Sequence, residues 1–183
     1  DIVVFRARDN ALEPLDLRAG SLDEVTLQTP HGVYTVLRLF PGRRVVRLDR
    51  QRERLEKSAE LLGQPFLVSR EWLRTMLRRA VERAGIDLPR IRLTVPADAP
   101  DSAIITLEPF NPPPDNLYQR GVRIALVEME RALPRAKDSR FVEARTRILK
   151  SLPPDVYEAV LCDREGRVRE GMTSNFYAVL DGS

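Results

Sequence analysis

The run Pro109–Asn116, PFNPPPDN, constrains the fold of this chain most. Pro112, Pro113 and Pro114 donate no backbone N–H and have a fixed φ. Neither a helix interior nor a central strand runs through such a segment. It is stiff and extended, which suits a connection between separately folded parts. The 183 residues are enough for two small domains. The expected division is a first domain over 1–110, a Pro-rich linker over 111–120 and a second domain over 121–183.

Ahead of the prolines the pattern alternates between strand and helix signals. Ile2–Phe5 reads as a short strand, and Ala11–Ala19 as irregular. Ser21 and Glu24 form a capping-box spacing. Val33–Phe40, VYTVLRLF, is a β-branched and aromatic run that turns at Pro41-Gly42 and returns over Val45–Leu48. Asp49 is the expected N-cap of the helix RQRERLEKSAELL, which stops at Gly63. Ser69 opens a second helix with Trp72, Leu73, Met76, Leu77 and Ala80 on one face, and Gly85 closes it. Ile91–Val95 and Ala103–Leu107 read as two further strands. The first part is therefore an α+β domain around a mainly antiparallel sheet.

Behind the prolines, Val122–Val127 reads as a strand and Phe141–Lys150 as a helix. Two apolar strands follow, Tyr157–Cys162 and Phe176–Leu180. Between them lie Glu170-Gly171 and the small polar run Thr173-Ser174-Asn175. Lys57, Lys137 and Lys150 are the lysines of the chain, and Lys137 alone sits in an irregular segment, ALPRAKDSR. Read from the residues only, Lys137 and Glu170 are either an amine and a carboxylate sharing a ligand, or a surface lysine and a tight turn.

Composition removes several classes. The one cysteine, Cys162, excludes an internal disulfide and reads as inert strand core in a reducing cytoplasm. With one histidine besides, His31 beside a turn, there is no Cys/His set for a metal. No apolar run approaches the roughly 18 residues of a membrane span. The net charge of +3 hides 30 basic and 27 acidic residues, and their interleaving marks solvated helix faces. The arginines of 70–83 fit such a face better than a nucleic-acid surface.

Four segments in order then carry a resemblance. GVYTVLR, LDRQRERLEKSAELLG, the lysine after LPR and EGMTSNFYAV resemble the class IV aminotransferases. These are fold-type IV pyridoxal-phosphate enzymes, among them branched-chain and D-amino-acid aminotransferases and aminodeoxychorismate lyase. The resemblance implies a small antiparallel α/β domain followed by part of a larger β-rich cofactor domain. It implies a homodimer with active sites near the subunit interface. It implies amino acid and 2-oxo acid substrates, and pyridoxal 5'-phosphate as cofactor. Lys137 corresponds to the Schiff-base lysine, which also moves the α-proton. Glu170 corresponds to the carboxylate on the pyridine nitrogen, and Arg54 to the phosphate-binding arginine. Thr173, Ser174 and Asn175 follow the family's cofactor-side polar run. Tyr34 and Arg92 fall on strands that line the substrate pocket.

Three features depart from that pattern. Arg140 and Phe141 follow the lysine where the family usually has asparagine and often tyrosine, and a phenylalanine donates no hydrogen bond. Thr35 stands where many family aminotransferases carry glutamate, which favours a lyase as the alternative. The family's chains also run on past the match, to a helix start that cups the phosphate. The chain is expected to be a fragment of such an enzyme, or a shortened relative acting as a binding module.

Overall fold

The computed structural model describes residues 1–129 and 136–179. It divides into two units, one of Asp1–Asn111 with Leu133–Glu143, the other of Pro112–Ala132 with Ala144–Ser183. The break after Asn111 falls at the prolines. Of the described residues behind the prolines, 136–143, with Lys137, group with the first unit. The expected linker is also partly helical, with α4 over Asp115–Arg120.

The first unit is built on an antiparallel sheet of six strands in the order β2-β1-β6-β5-β3-β4. These are β1 (Val3–Arg8), β2 (Ala11–Pro14), β3 (Gly32–Phe40), β4 (Arg44–Val45), β5 (Arg90–Pro96) and β6 (Ser102–Glu108). Alternation divides the side chains between two faces. Leu37, Ile91, Leu93, Ile105 and Leu107 pack on one face against α2 (Leu48–Leu61) and α3 (Arg70–Ala84). Those helices contribute Leu55, Ala59, Leu73, Met76, Leu77 and Ala80, and each large apolar side chain so buried contributes about 1.5–3 kcal/mol. On the other face α1 (Leu22–Leu27) sets Val25 against Val4 and Ile104.

Local chemistry explains the start of α1 and both ends of α3. The Ser21 hydroxyl accepts the Glu24 N–H, and the Glu24 carboxylate accepts the Gly20 N–H. The Ser69 hydroxyl accepts the Trp72 N–H, and Gly85 leaves α3 with φ 65°. Asp49 is not the cap of α2. The helix starts at Leu48 behind Arg47, whose backbone is left-handed, and Asp49 lies in the first turn. Its carboxylate instead pairs with Arg70 and Arg74 of α3, tying the two helices together.

The second unit holds a three-stranded sheet in the order β7-β8-β9. Strand β7 (Ile124–Glu128) lies parallel to β8 (Glu158–Cys162), and β9 (Val168–Gly171) antiparallel to it. In chain order α5 (Arg140–Ser151) falls between the two parallel strands. Residues 176–179 form no strand, and Leu180, the end of the strand expected there, lies outside the described residues. No described helix is long and apolar enough to cross a membrane.

Candidate functional site

The order of the first sheet leaves one strand edge partly open. β4 covers only Leu39 and Phe40 of β3, so its first half has no strand on that side. The segment carrying Lys137 fills this edge. The Tyr34 N–H donates to the Lys137 carbonyl at 2.9 Å, and the Ser139 N–H donates to the Gly32 carbonyl at 2.9 Å. Val33 and Asp138 form an antiparallel bridge between them. The Gly32 N–H completes the set by donating to the Ser139 hydroxyl at 2.9 Å. An open edge offers unpaired backbone groups, and here a segment about a hundred residues later in the chain satisfies them. Ala136 and Ser139 are buried and Lys137 is half-buried.

Helix α2 meets the same segment. Ser58, buried on its inner face, accepts the Lys137 backbone N–H at 3.1 Å. The Ser58 hydroxyl proton goes to the Arg54 carbonyl at 2.7 Å. Arg54 stands one helical turn away with its side chain exposed. Among the described residues no carboxylate pairs with its guanidinium. Its neighbours differ, since Arg52 pairs with Glu56, and Arg70 and Arg74 pair with Asp49. Thr35, also buried, donates to the Gln51 side-chain oxygen at 2.7 Å and ties β3 to α2.

The residues after the lysine close the segment. The Arg140 N–H and guanidinium both donate to Asp138. That hydrogen bond, with the carboxylate's charge, raises the Arg140 pKa above its ordinary value.

Arg92, expected to line a substrate pocket, is held by α1. Its side chain is 6% exposed and pairs with Asp23 at 2.7 Å. It also donates to the Leu22 carbonyl and the Thr26 hydroxyl, so α1 holds its guanidinium. The Tyr34 ring lies 5.0 Å from that guanidinium and is itself buried. Tyr34 therefore meets Lys137 through its backbone, while its ring packs with Arg92.

In the second unit Glu170 is half-buried on β9, opposite Leu161 of β8. The turn behind it is tight: a Cβ on Gly171 would stand 2.3 Å from the Ser174 hydroxyl. Thr173 gives both its N–H and its hydroxyl to Glu158, a buried carboxylate at the start of β8. Ser174 and Asn175 are exposed. Arg54, Tyr34 and Lys137 thus share the first unit, and Glu170 and the polar run share the second.

Sequence reasoning did not assign Ser58 and Ser139. The signal for Ser58 was present, since it lies beside the apolar stripe Leu55, Ala59 and Leu62. Among the described residues no His, Cys, Asp or Glu group suits a metal.

A profile of the family described as "Amino-transferase class IV" matches residues 32–183, and the chain belongs to that family. No curated protein sequence matches it. Its fold is similar to that of part of a branched-chain amino acid aminotransferase from T.th. crystallised with pyridoxamine 5'-phosphate. That match has a TM-score of 0.70 at 20% identity, covering 93% of this chain and 62% of the other. A 4-amino-4-deoxychorismate lyase from Pseudomonas aeruginosa matches with TM-score 0.62 at 25% identity, over 82% and 60%. A hypothetical aminotransferase from Mycobacterium tuberculosis, with alpha-ketoglutarate and PMP bound, matches with TM-score 0.69 at 16% identity, over 92% and 65%. The chain spans between 60% and 65% of the length of these structures.

Proposed function

We propose that this chain serves a pyridoxal-phosphate-dependent class IV aminotransferase, which transfers an amino group from an amino acid to a 2-oxo acid. The observation that carries the reading is the docking of Lys137 on the β3 edge, joined through Ser58 to the helix turn that bears Arg54. The donor set fits the cofactor. An arginine already paired with a carboxylate has to be released before it takes a phosphate, and Arg54 has no such pairing among the described residues.

Pyridoxal phosphate, when bound, supplies an aldehyde for an amine and a ring that withdraws electrons from the carbon losing its proton. Lys137 would hold it through its amine, and the same amine would carry that proton. Arg54 takes the phosphate, because a guanidinium keeps its charge and binds oxygens in pairs. Glu170 is the carboxylate that would hold the pyridine nitrogen. Ser174 and Asn175 remain available for the phosphate or ring, whereas Thr173 orients the turn through Glu158. Treatment with pyridoxal phosphate and borohydride, followed by mass mapping, should leave one adduct on Lys137 and none in Lys137→Ala. An adduct elsewhere, or none, overturns the assignment.

Thr35 supports a second reading, a lyase of the aminodeoxychorismate type. Its hydroxyl is committed to Gln51, so this point of β3 holds a neutral pair where a family aminotransferase often has a carboxylate. Pyruvate released from aminodeoxychorismate without an amino acceptor would decide for the lyase. In both readings the enzyme is a cytoplasmic homodimer, and sedimentation showing monomer alone would remove the dimer.

A further inference from the structure

We infer that Ser58 is a positioning residue for Lys137, fixing the lysine's backbone against the helix turn that presents Arg54; this rests on the reading of Lys137 as the cofactor-bonding amine. A hydroxyl has one proton to give and two lone pairs to accept with. Ser58 gives its proton to the Arg54 carbonyl at 2.7 Å and accepts the Lys137 N–H at 3.1 Å. The side chain is 1% exposed, so water does not substitute for either partner. The Lys137 carbonyl is meanwhile held by the Tyr34 N–H. Both backbone groups of Lys137 are therefore fixed, one by the sheet and one by the helix. The sheet bond sets the height of Lys137 along β3, and the Ser58 bond sets its distance from α2. Ser139 completes the clamp on the far side, where its hydroxyl accepts the Gly32 N–H.

The role differs from that of an ordinary buried serine within a helix. A serine donating to the carbonyl four residues back is satisfied locally and slightly weakens its helix. Alanine at that position raises helix propensity, so Ser58→Ala keeps α2 and removes the acceptor for Lys137. The bond lost joins segments 79 residues apart.

The test is amide hydrogen exchange, with pyridoxal-phosphate labelling read in parallel, on wild type, Ser58→Ala and Ser58→Thr. In Ser58→Ala the Lys137 amide should exchange about tenfold faster, as expected for an orphaned buried donor. Protection across β3, β5 and β6 should be unchanged. Borohydride-trapped labelling of Lys137 should slow severalfold and shift in its pH profile, and Ser58→Thr should restore both. Unchanged Lys137 exchange in Ser58→Ala overturns the inference. A uniform loss of protection over the whole sheet also overturns it, because it marks a purely structural serine. Absence of any Lys137 adduct in wild type defeats the reading of Lys137 itself, while the exchange result still decides whether Ser58 holds the segment.

Discussion

Arg54 and Gly32 show how differently two residues of the first unit respond to change. Arg54 is exposed, and among the described residues no carboxylate holds it. Arg54→Ala should leave folding stability within about 0.5 kcal/mol of wild type. It should weaken pyridoxal-phosphate binding about tenfold to a hundredfold, the range for losing a charge-assisted hydrogen bond. Titration by spectroscopy beside a urea melt checks both parts, and equal binding by the two proteins would remove Arg54 from the phosphate. Gly32 is the opposite case. A Cβ there would lie 2.0 Å from the Val95 carbonyl oxygen, inside the β3–β5 pairing. Gly32→Ala should destabilise the first unit by about 1–3 kcal/mol or more, since backbone and not a flexible side chain must move. It should also expose the Ser139 contact, because the Gly32 N–H and carbonyl both hold the lysine segment. A denaturation midpoint equal to wild type would show that the strands separate without cost.

At the scale of elements, what the sequence disclosed depended on the range of the chemistry. The limits of α3 were legible because Ser69 and Gly85 act within one turn. The start of α2 was misread because Asp49 has cap chemistry, yet its carboxylate is taken by Arg70 and Arg74 of the next helix. β2 was missed because it is short, lies at the sheet edge and ends in Pro14, which weakens any strand pattern. The turn between β8 and β9 offers a test by pH. Asp163 there accepts the N–H groups of Glu165 and Arg167 and pairs with the guanidiniums of Arg167 and Arg169. Burial pushes its carboxyl up, but the Arg167 backbone and side-chain bonds and the two positive charges outweigh it. The pKa falls from 3.8 to about 2. A depressed folded value means that the stabilisation is fully present above the ordinary pKa and is lost as pH falls towards about 2. Asp163→Asn should therefore be less stable than wild type at neutral pH, with the gap closing below about pH 4. A gap that stays constant down to pH 2 would refute this account of the turn.

For the whole molecule, the family was visible in sequence, and the assembly of the site was not. The bonds that place Lys137 join it to Ser58 and to β3, and such pairings leave no periodic trace. The hold of α1 on Arg92 is equally hidden, since it acts from about seventy residues away. The presence of two units has a thermodynamic consequence. The larger hydrophobic core lies wholly in the first unit, from Phe5 and Leu12 through Leu107. The second unit has about sixty residues and exposes Ile124, Leu126, Tyr157, Phe176 and Val179. A unit of that size buries only about 60% of its unfolded surface and is marginal by itself. It should unfold at lower urea than the first unit. The chain's one tryptophan, Trp72, packs against the first unit's core and reports on that unit alone. Far-ultraviolet circular dichroism reports on both. The two signals should therefore fail to coincide, with dichroism falling first and Trp72 fluorescence following at higher denaturant. Superimposable curves would mean that the two units unfold as one, whatever their separate cores suggest.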